Sequence, residues 1–291
     1  MREPGHGQLV LVATPIGNLG DLSPRAAEVL AQADLIACED TRRTRGLLSA
    51  LAIPAGGPAG DRLVSLHAHN ERARVDQVRA LVAQGALVAV VSDAGTPGIS
   101  DPGSVLVAEL SGEGYAVSVV PGPSSVISAL VVSGLATDRF CVEGFLPRKG
   151  PQRRQRIATV MGDARTTVVL ESPMRLLGTL AELGAIDADR PIAVVRELTK
   201  VYEEVWRGTL AEAETVFAER GVRGEVVLVI GGAPPPSAPS EADIDAAVRE
   251  RLAHGDGPRQ VAAALSGEMG VARRTIYDVA LRLRSESGSS D

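Results

Sequence analysis

Residues 86–103 read Ala-Leu-Val-Ala-Val-Val-Ser-Asp-Ala-Gly-Thr-Pro-Gly-Ile-Ser-Asp-Pro-Gly. Six apolar residues bounded by a Gly/Pro-rich turn predict a strand buried on both faces. The twelve residues after it predict a turn shaped around a ligand. Gly95, Gly98 and Gly103 let backbone approach a bound molecule closely. Pro97 and Pro102 fix the path and remove amide donors. Asp93 and Asp101 supply acceptors for hydroxyl or amine groups. Two further loops of this kind follow apolar runs, Thr14-Pro-Ile-Gly-Asn-Leu-Gly-Asp21 and Pro121-Gly-Pro-Ser-Ser125. Three such loops predict one shared cleft, because open α/β sheets bind ligands beyond the carboxyl ends of their strands.

Outward from this turn, strands and helices alternate. Strands are expected at Gln8–Ala13, Leu35–Cys38, Arg62–Leu66, 86–91 and Ala116–Val120, and helices at Leu22–Ala33, Thr41–Leu51, Asn70–Gln84 and Ser104–Glu113. That rhythm implies a mainly parallel sheet with helices on both faces. The second half is mixed. Helices are expected at Ser124–Gly134, Pro173–Leu183 and Leu210–Arg220, and strands at Arg139–Gly144, Thr166–Glu171, Ile192–Arg196, Glu204–Thr209 and Glu225–Ile230. Short connections between the late strands imply an antiparallel portion. The expected organisation is an N-terminal α/β domain (1–121), a C-terminal α+β domain (122–232) and a Pro-rich linker (233–241). A helical domain with helix-turn-helix spacing (242–284) and a disordered tail (285–291) complete it.

A chain of 291 residues with 45% apolar residues can bury a large core, and with 2% aromatics that core must be Ala, Val and Leu. The net charge of −6 argues against a wholly basic nucleic-acid coat but leaves room for a local basic patch. Cys38 and Cys141 lack metal spacing and read as buried thiols. The N-terminus has no signal-peptide core, and no apolar stretch is long enough to span a bilayer, so a cytoplasmic chain is expected. Neither a Gly-x-Gly-x-x-Gly after the first strand nor a Walker-type Gly-Lys-Ser/Thr is present.

Several strings carry candidate chemistry. Glu39 and Asp40 at a strand end are candidates for acid/base work, or are acidic residues favoured by a helix N-terminus. Arg42, Arg43 and Arg45 beside them are candidates for phosphate contacts, or are exposed surface. His67 and His69 share a strand face, as a metal pair would, but no third ligand is evident; a helix cap is the simpler reading. Arg148, Lys149, Arg153, Arg154 and Arg156 form the densest basic run of an acidic chain, which a polyanionic partner explains better than a solvated face does. Glu171-Ser172 begins a segment in which Ser172 can cap a helix. Lys200, among Glu197, Glu203 and Glu204, either assists deprotonation of a hydroxyl or forms an ion pair.

Taken together, these strings resemble the bacterial small-subunit ribosomal RNA (cytidine-2′-O-)methyltransferases, within the tetrapyrrole-methylase-like enzymes that use S-adenosylmethionine. The resemblance rests on Ala13–Asp21, Cys38–Arg42, His69–Glu71, Ser92–Gly103, Pro121–Ser124, Asp138–Pro147, Glu171-Ser172, Arg196–Lys200 and Gly224–Leu228, in order over about 225 residues. It implies a two-domain α/β fold with a helical tail domain, S-adenosylmethionine in a cleft, and a homodimer. Carried over, Thr14, Pro15, Ile16 and Gly17 and the turn residues Asp93, Gly95, Thr96, Pro97 and Ile99 should line the cofactor pocket. Ser124 and Ser125 should approach the cofactor, and Glu171, Ser172 and Pro173 should border its adenine. No metal is implied.

The implied reaction is methylation of a ribose 2′-hydroxyl of a decoding-centre cytidine in 16S rRNA of the small ribosomal subunit. Glu39, Asp40, Glu197 or Lys200 would take the proton, and Arg42, Arg43, Arg148, Lys149, Arg153 and Arg154 would grip the RNA. Met174 stands where the family usually has His, residues 53–61 look longer and more Gly-rich, and Gly231-Gly232 replace a usual acidic residue. Two alternatives remain: a methylase of a tetrapyrrole or a translation-factor residue on this fold, and a ligand-sensing helix-turn-helix regulator.

Overall fold

The computed structural model describes residues 7–57, 60–67, 69–235 and 239–287. The chain divides into two compact units, residues 1–233 and 234–291.

In the first unit the strands β1 (Gln8–Val12), β2 (Leu35–Cys38), β5 (Leu63–Ser65), β6 (Leu87–Val91) and β7 (Ala116–Val120) form a five-stranded sheet of order β5-β2-β6-β1-β7. Every pairing in it is parallel. All five residues of β6 are buried, as an unbroken apolar run requires when helices cover both faces. Alternation along the strands sorts the two faces. Val10, Val12, Ile36, Cys38, Leu87, Ala89 and Val91 pack under α1 (Pro24–Gln32) and α2 (Thr41–Ala50). On the other face Leu9, Ala37, Val88 and Val90 pack under α3 (Glu71–Ala83) and α4 (Ser104–Gly112). The strands β6, β1 and β7 are neighbours, so the three Gly/Pro loops that leave them emerge side by side. This adjacency positions the site.

The second sheet has the order β11-β10-β12-β9-β8, formed by β8 (Phe140–Phe145), β9 (Thr166–Glu171), β10 (Pro191–Arg196), β11 (Glu204–Thr209) and β12 (Val226–Ile230). Only β8 and β9 pair in parallel. α5 (Ser125–Ser133), which starts just beyond the expected boundary near residue 121, packs on one face through Val126, Ala129 and Leu130. Ile16 of the first loop joins that same cluster, which is why both sheets belong to one compact unit. The other face is covered by α6 (Pro151–Gly162), α7 (Leu176–Gly184) and α8 (Leu210–Arg220).

Three local readings change. The basic segment from 148 is the lead into helix α6, whose inward positions are Arg153, Ile157, Val160 and Met161. An arginine at a core-facing position hid the helical periodicity. α7 starts at Leu176 rather than Pro173, and its N-cap is Arg175, so Ser172 does not cap it. Within 53–61, β3 (Gly56–Gly57) pairs with β4 (Gly60–Asp61), and residues 58–59 lie outside the described residues. The Arg62 guanidinium ties the base of this hairpin to the backbone, donating to Ala31 O at 3.1 Å, to Ala33 O at 2.7 Å and to Pro54 O.

The second unit holds α9 (Glu241–Ala253), α10 (Pro258–Met269) and α11 (Arg273–Ser287), packed around Ile244, Val248, Val261, Leu265, Ile276, Ala280 and Leu283. Gly270, in the left-handed region at φ 64°, ends α10 and opens the three-residue turn into α11, the connection expected of a helix-turn-helix. α11 continues to Ser287, past the expected start of the tail, and residues 288–291 lie outside the described residues. Residues 236–238 of the Pro-rich stretch lie outside them too.

Candidate active site

A cavity of about 350 Å³ lies at the mouth of the three loops, within the range of small-molecule sites. Its walls include Ile16 from the first loop, Asp93, Gly95, Thr96, Ile99 and Asp101 from the second, and Ser124 and Ser125 from the third. The second sheet adds Phe145, Leu170, Glu171, Ser172, Pro173 and the strip Gly224–Val227. Ten of the expected cofactor residues therefore come together here: Ile16, Asp93, Gly95, Thr96, Ile99, Ser124, Ser125, Glu171, Ser172 and Pro173.

Thr14, Pro15, Gly17 and Pro97 are not in the wall, and Thr14 holds it. Thr14 is buried and pairs with Gly95 through both backbone bonds, 2.9 and 3.0 Å, while its hydroxyl donates to Ser92 O at 3.2 Å. Gly95 has φ 82°, a conformation that favours glycine where two loops meet in so short a bridge. Thr96 Oγ1 donates to Pro123 O at 3.2 Å, tying the second loop to the third. Pro97 is buried. Gly17 lies against Lys200, whose Cγ would be 2.4 Å from a Cβ placed there.

The carboxylates differ in what they already hold. Asp40 caps α2: its side chain accepts from Arg42 N at 2.8 Å and from the Arg42 guanidinium at 2.7 and 3.1 Å, which holds its carboxyl well below the usual range. Asp93 accepts from Asp40 N at 3.0 Å and faces Arg43 at 3.5 Å. Glu171 is buried and accepts from Ser172 N at 2.8 Å and Thr179 Oγ1 at 2.6 Å, with Arg175 at 3.2 Å.

Glu197 accepts from Lys200 Nζ at 2.8 Å and from Glu225 N at 2.9 Å, and these bonds lower its pKa. Burial works to lower the Lys200 pKa, but its bonds to Glu197 and Glu225 outweigh burial and raise it, so the amine stays protonated. Glu197 and Glu225 border a small annex that shares Ile16, Ser125 and Val227 with the cavity. Gly224 has no room for a side chain, since a Cβ there would lie 2.3 Å from Glu197 Cδ.

Sequence reasoning missed the cavity residues Ala94, Ser100, Asp101, Val126, Phe145, Leu170 and Gly224–Val227 as a set. For Phe145 a signal existed: an aromatic in a chain with few of them, immediately before the basic run. Asp101 was legible as an acceptor, but not that it forms no ion pair among the described residues.

The basic run splits. Arg148, Lys149 and Arg154 are exposed, and no side-chain ion pair or hydrogen bond engages them among the described residues. Arg156 pairs with Glu143 at 2.5 Å. Arg153 is withdrawn from the expected RNA contacts: it is 6% exposed and fully engaged inside the protein, with Glu182, Thr179 and the Pro147 carbonyl as acceptors. Arg42 is exposed beside Asp40, and Arg43 lines the cavity. Among the described residues no group of three or more His, Cys, Asp or Glu is arranged to hold a metal ion.

The donor set suits the S-adenosylmethionine implied by the resemblance. That molecule combines a flat purine, ribose hydroxyls, a positively charged sulfonium and an amino-acid end with an ammonium and a carboxylate. The cavity matches these with Ile16, Ile99, Val126, Leu170 and Pro173, with Thr96, Ser124 and Ser125, and with Asp93, Asp101 and Glu225.

Comparison with known proteins agrees. The pattern of the tetrapyrrole (corrin/porphyrin) methylases matches residues 8–214. The ribosomal RNA small subunit methyltransferase I of Synechocystis sp. is 44% identical over 283 residues, covering 96% of this chain and 99% of that protein. Its namesake in Mycobacterium tuberculosis is 47% identical over 287 residues, 97% of each chain. Among solved structures, a uroporphyrin-III C-methyl transferase from Thermus thermophilus complexed with S-adenosyl homocysteine superposes with a TM-score of 0.52 at 22% identity, covering 77% of this chain and 97% of its own, which supports the fold. With the three strand-end loops, the shared cavity and relatives matched end to end, the chain belongs to the tetrapyrrole (corrin/porphyrin) methylase family, in its ribosomal RNA small subunit methyltransferase I branch.

Proposed function

We propose that this chain transfers a methyl group from S-adenosylmethionine to 16S rRNA of the small ribosomal subunit, at the 2′-hydroxyl of a decoding-centre cytidine. The observation that carries the reading is the 44% and 47% identity, over nearly the full length, to relatives named as ribosomal RNA small subunit methyltransferases; the 2′-hydroxyl of a cytidine is what the resemblance of the sequence motifs implies. The cofactor supplies an electrophilic methyl group on a positively charged sulfur. The chain's own residues align it: the backbone turns at Gly95 and Gly224 bring main chain close, and the serines and carboxylates of the wall orient its polar end. Arg148, Lys149 and Arg154 hold RNA phosphates beside the cavity, and the exposed Phe145 ring offers a stacking surface for a base drawn out of its helix. A tetrapyrrole substrate is disfavoured, because a single macrocycle needs no such run of free cations. The test is labelled-methyl transfer to purified 30S subunits and, separately, to a porphyrinogen; label in the porphyrinogen alone would reverse the assignment.

Phosphate grip makes affinity fall with salt, by about 0.7–0.9 in log–log slope per neutralised phosphate. The triple variant R148A/K149A/R154A is expected to bind 30S subunits more weakly, with the slope reduced by about 2. Equilibrium binding across a salt series reads this directly, and an unchanged slope would remove these residues from the RNA contact.

The same reading makes the working form a homodimer and places it in the cytoplasm, where ribosomal particles are. No helix among the described residues is long and apolar enough to cross a membrane. Support for self-association comes from exposed apolar residues on consecutive elements: Val119 of β7, Ile127 and Val131 of α5, and Phe140 and Val142 of β8. Such a concentration on two edge strands and the outer side of α5 is the kind of surface that partners cover. I127D/V131D is expected to convert a dimer to a monomer in light scattering, without loss of helical content. A dimer of unchanged mass would exclude α5 from the interface.

A further inference from the structure

The cavity wall is drawn from the first unit alone, and the tetrapyrrole methylase pattern ends at residue 214. The second unit closes on a core of its own, so neither the cavity nor the methylase fold accounts for it. Its charges are placed unevenly. α9 opens with Glu241 and Asp243, as the positive end of a helix dipole favours. α10 and α11 open the other way. Arg259 is the second residue of α10, Arg273 and Arg274 are the first two of α11, and neither helix has an acidic residue in its first turn. Three cations set against two helix dipoles, two of them adjacent and mutually repelling, work against the stability of the unit. Arg251 is neutralised by Asp256 and Glu268, and Arg282 by Asp245. By contrast Arg259, Arg273 and Arg274 are exposed, and among the described residues no ion pair or side-chain hydrogen bond engages them. A polyanion outside the unit offsets that cost.

The backbone sets these side chains where a helix-turn-helix meets nucleic acid. Gly270 ends α10, and the turn 270–272 leads into α11. In that motif the second helix meets nucleic acid through its N-terminal residues, and the first crosses the backbone. The basic character of the exposed face stops after one turn of α11. Arg274, Asp278 and Leu281 recur at helical spacing on one face, and all three are exposed. Laid lengthwise in the major groove of DNA, that face would carry a carboxylate and an apolar side chain between two rows of phosphates. Contact by the first turn alone suits RNA, whose deep, narrow major groove excludes a helix and leaves phosphates and 2′-hydroxyls as the contact surface.

We propose that the second unit is an RNA-docking module whose Arg259, Arg273 and Arg274 hold phosphates of the small-subunit rRNA; this rests on the function proposed above. Guanidinium forks suit phosphate oxygens, and such a grip reads no base sequence. The Pro-rich stretch 233–241 joins the module to the first unit, whose Arg148, Lys149 and Arg154 are assigned to the rRNA beside the cavity. Once one unit is bound, the other meets the same particle at a high effective concentration. Two modest contacts then combine into a firm one, with no change in the chemistry at the cavity.

The experiment compares the full-length wild type with R273A/R274A, R273Q/R274Q and R273K/R274K. Binding to 30S subunits is measured across a salt series, with KM and kcat of methyl transfer, helical content and mass by light scattering alongside. Both pairs that remove charge are expected to bind several-fold more weakly at low salt, with the log–log slope reduced by about 1.5. KM should rise with kcat kept, because the loss is one of uniform binding. The glutamine pair keeps side chains of similar length, so an effect shared with alanine belongs to charge and not to folding. The lysine pair is expected to keep the wild-type slope. The loss should add to that of R148A/K149A/R154A, as separate contacts do. An unchanged slope and KM in both charge-removing pairs would overturn the proposal. So would intact 30S binding beside lost binding to a short DNA duplex, which would make the face a DNA reader. A changed mass with an unchanged slope would overturn it too, and give the face to a second copy of the chain. Failure of the function itself would look different, with no methyl transfer to 30S subunits by wild type.

Discussion

Replacing Glu71 with alanine is expected to destabilise the chain by about 3–5 kcal/mol and to weaken cofactor uptake with it. Glu71 is the first residue of α3 and is 5% exposed. Its Oε1 accepts from Gly103 N at 2.9 Å, Val105 N at 2.9 Å and Leu106 N at 3.2 Å. These are unsatisfied amides of the first turn of α4, whose own N-cap, Gly103, has no side chain to offer. A carboxylate at a helix N-terminus also meets the positive end of its dipole. Alanine strands three donors in the interior between α3 and α4 and frees the end of the 92–103 turn that carries Asp93, Thr96, Ile99 and Asp101. Glu71→Gln keeps an acceptor and loses the charge, so its cost should be smaller, about 1–2 kcal/mol. Urea unfolding of both variants checks the order, and an E71A midpoint equal to wild type would show that the carboxylate does not hold the turn.

Arg153→Ala is expected to cost about 3 kcal/mol of stability while leaving the salt dependence of RNA binding unchanged. The guanidinium bridges Glu182 at 2.9 and 3.0 Å, the Pro147 carbonyl at 3.1 Å and Thr179 Oγ1 at 2.9 Å. Thr179 in turn donates to Glu171 in the cavity wall, so the network reaches from α6 through α7 to the site. Glu182 is half exposed and recovers water when the arginine is lost, which keeps the cost at the lower end for a buried ion pair. A phosphate ligand would behave in the opposite way, with a reduced salt slope and unaltered stability. Denaturation and salt titration of one purified variant therefore separate the two roles.

The contrast between Arg153 and its neighbours shows where a linear sequence stops informing. Five cations within nine residues read as one electrostatic feature, yet the helical turn sends Arg153 inward with Ile157 and Val160 while Arg148, Lys149 and Arg154 face water. Arg148 and Lys149 lie in the lead before α6, and only the helix phase separates Arg153 from Arg154, a phase that the arginine itself obscured. The parallel half was legible because β6 and its neighbours are short apolar runs ended by Gly/Pro turns, and the segments 22–33 and 70–84 between them repeat their apolar residues at helical spacing. The convergence of three loops was legible too, but not its cause, the adjacency of β6, β1 and β7, which is a matter of strand order. Thr14 and Glu71 sit in strings that suggested ligand contact or a polar surface, and both act through buried hydrogen bonds that hold the cavity's loops. The partition of the carboxylates depended on partners far away in sequence: Lys200 reaches Glu225, and Asp93 reaches Asp40.

The most direct test of the central claim is mass mapping of ribose methyl groups on 16S rRNA from cells lacking this chain, beside cells in which it is restored. The account predicts that one decoding-centre cytidine loses its 2′-O-methyl group in the first and regains it in the second. Full methylation of that cytidine in cells without the chain would contradict it.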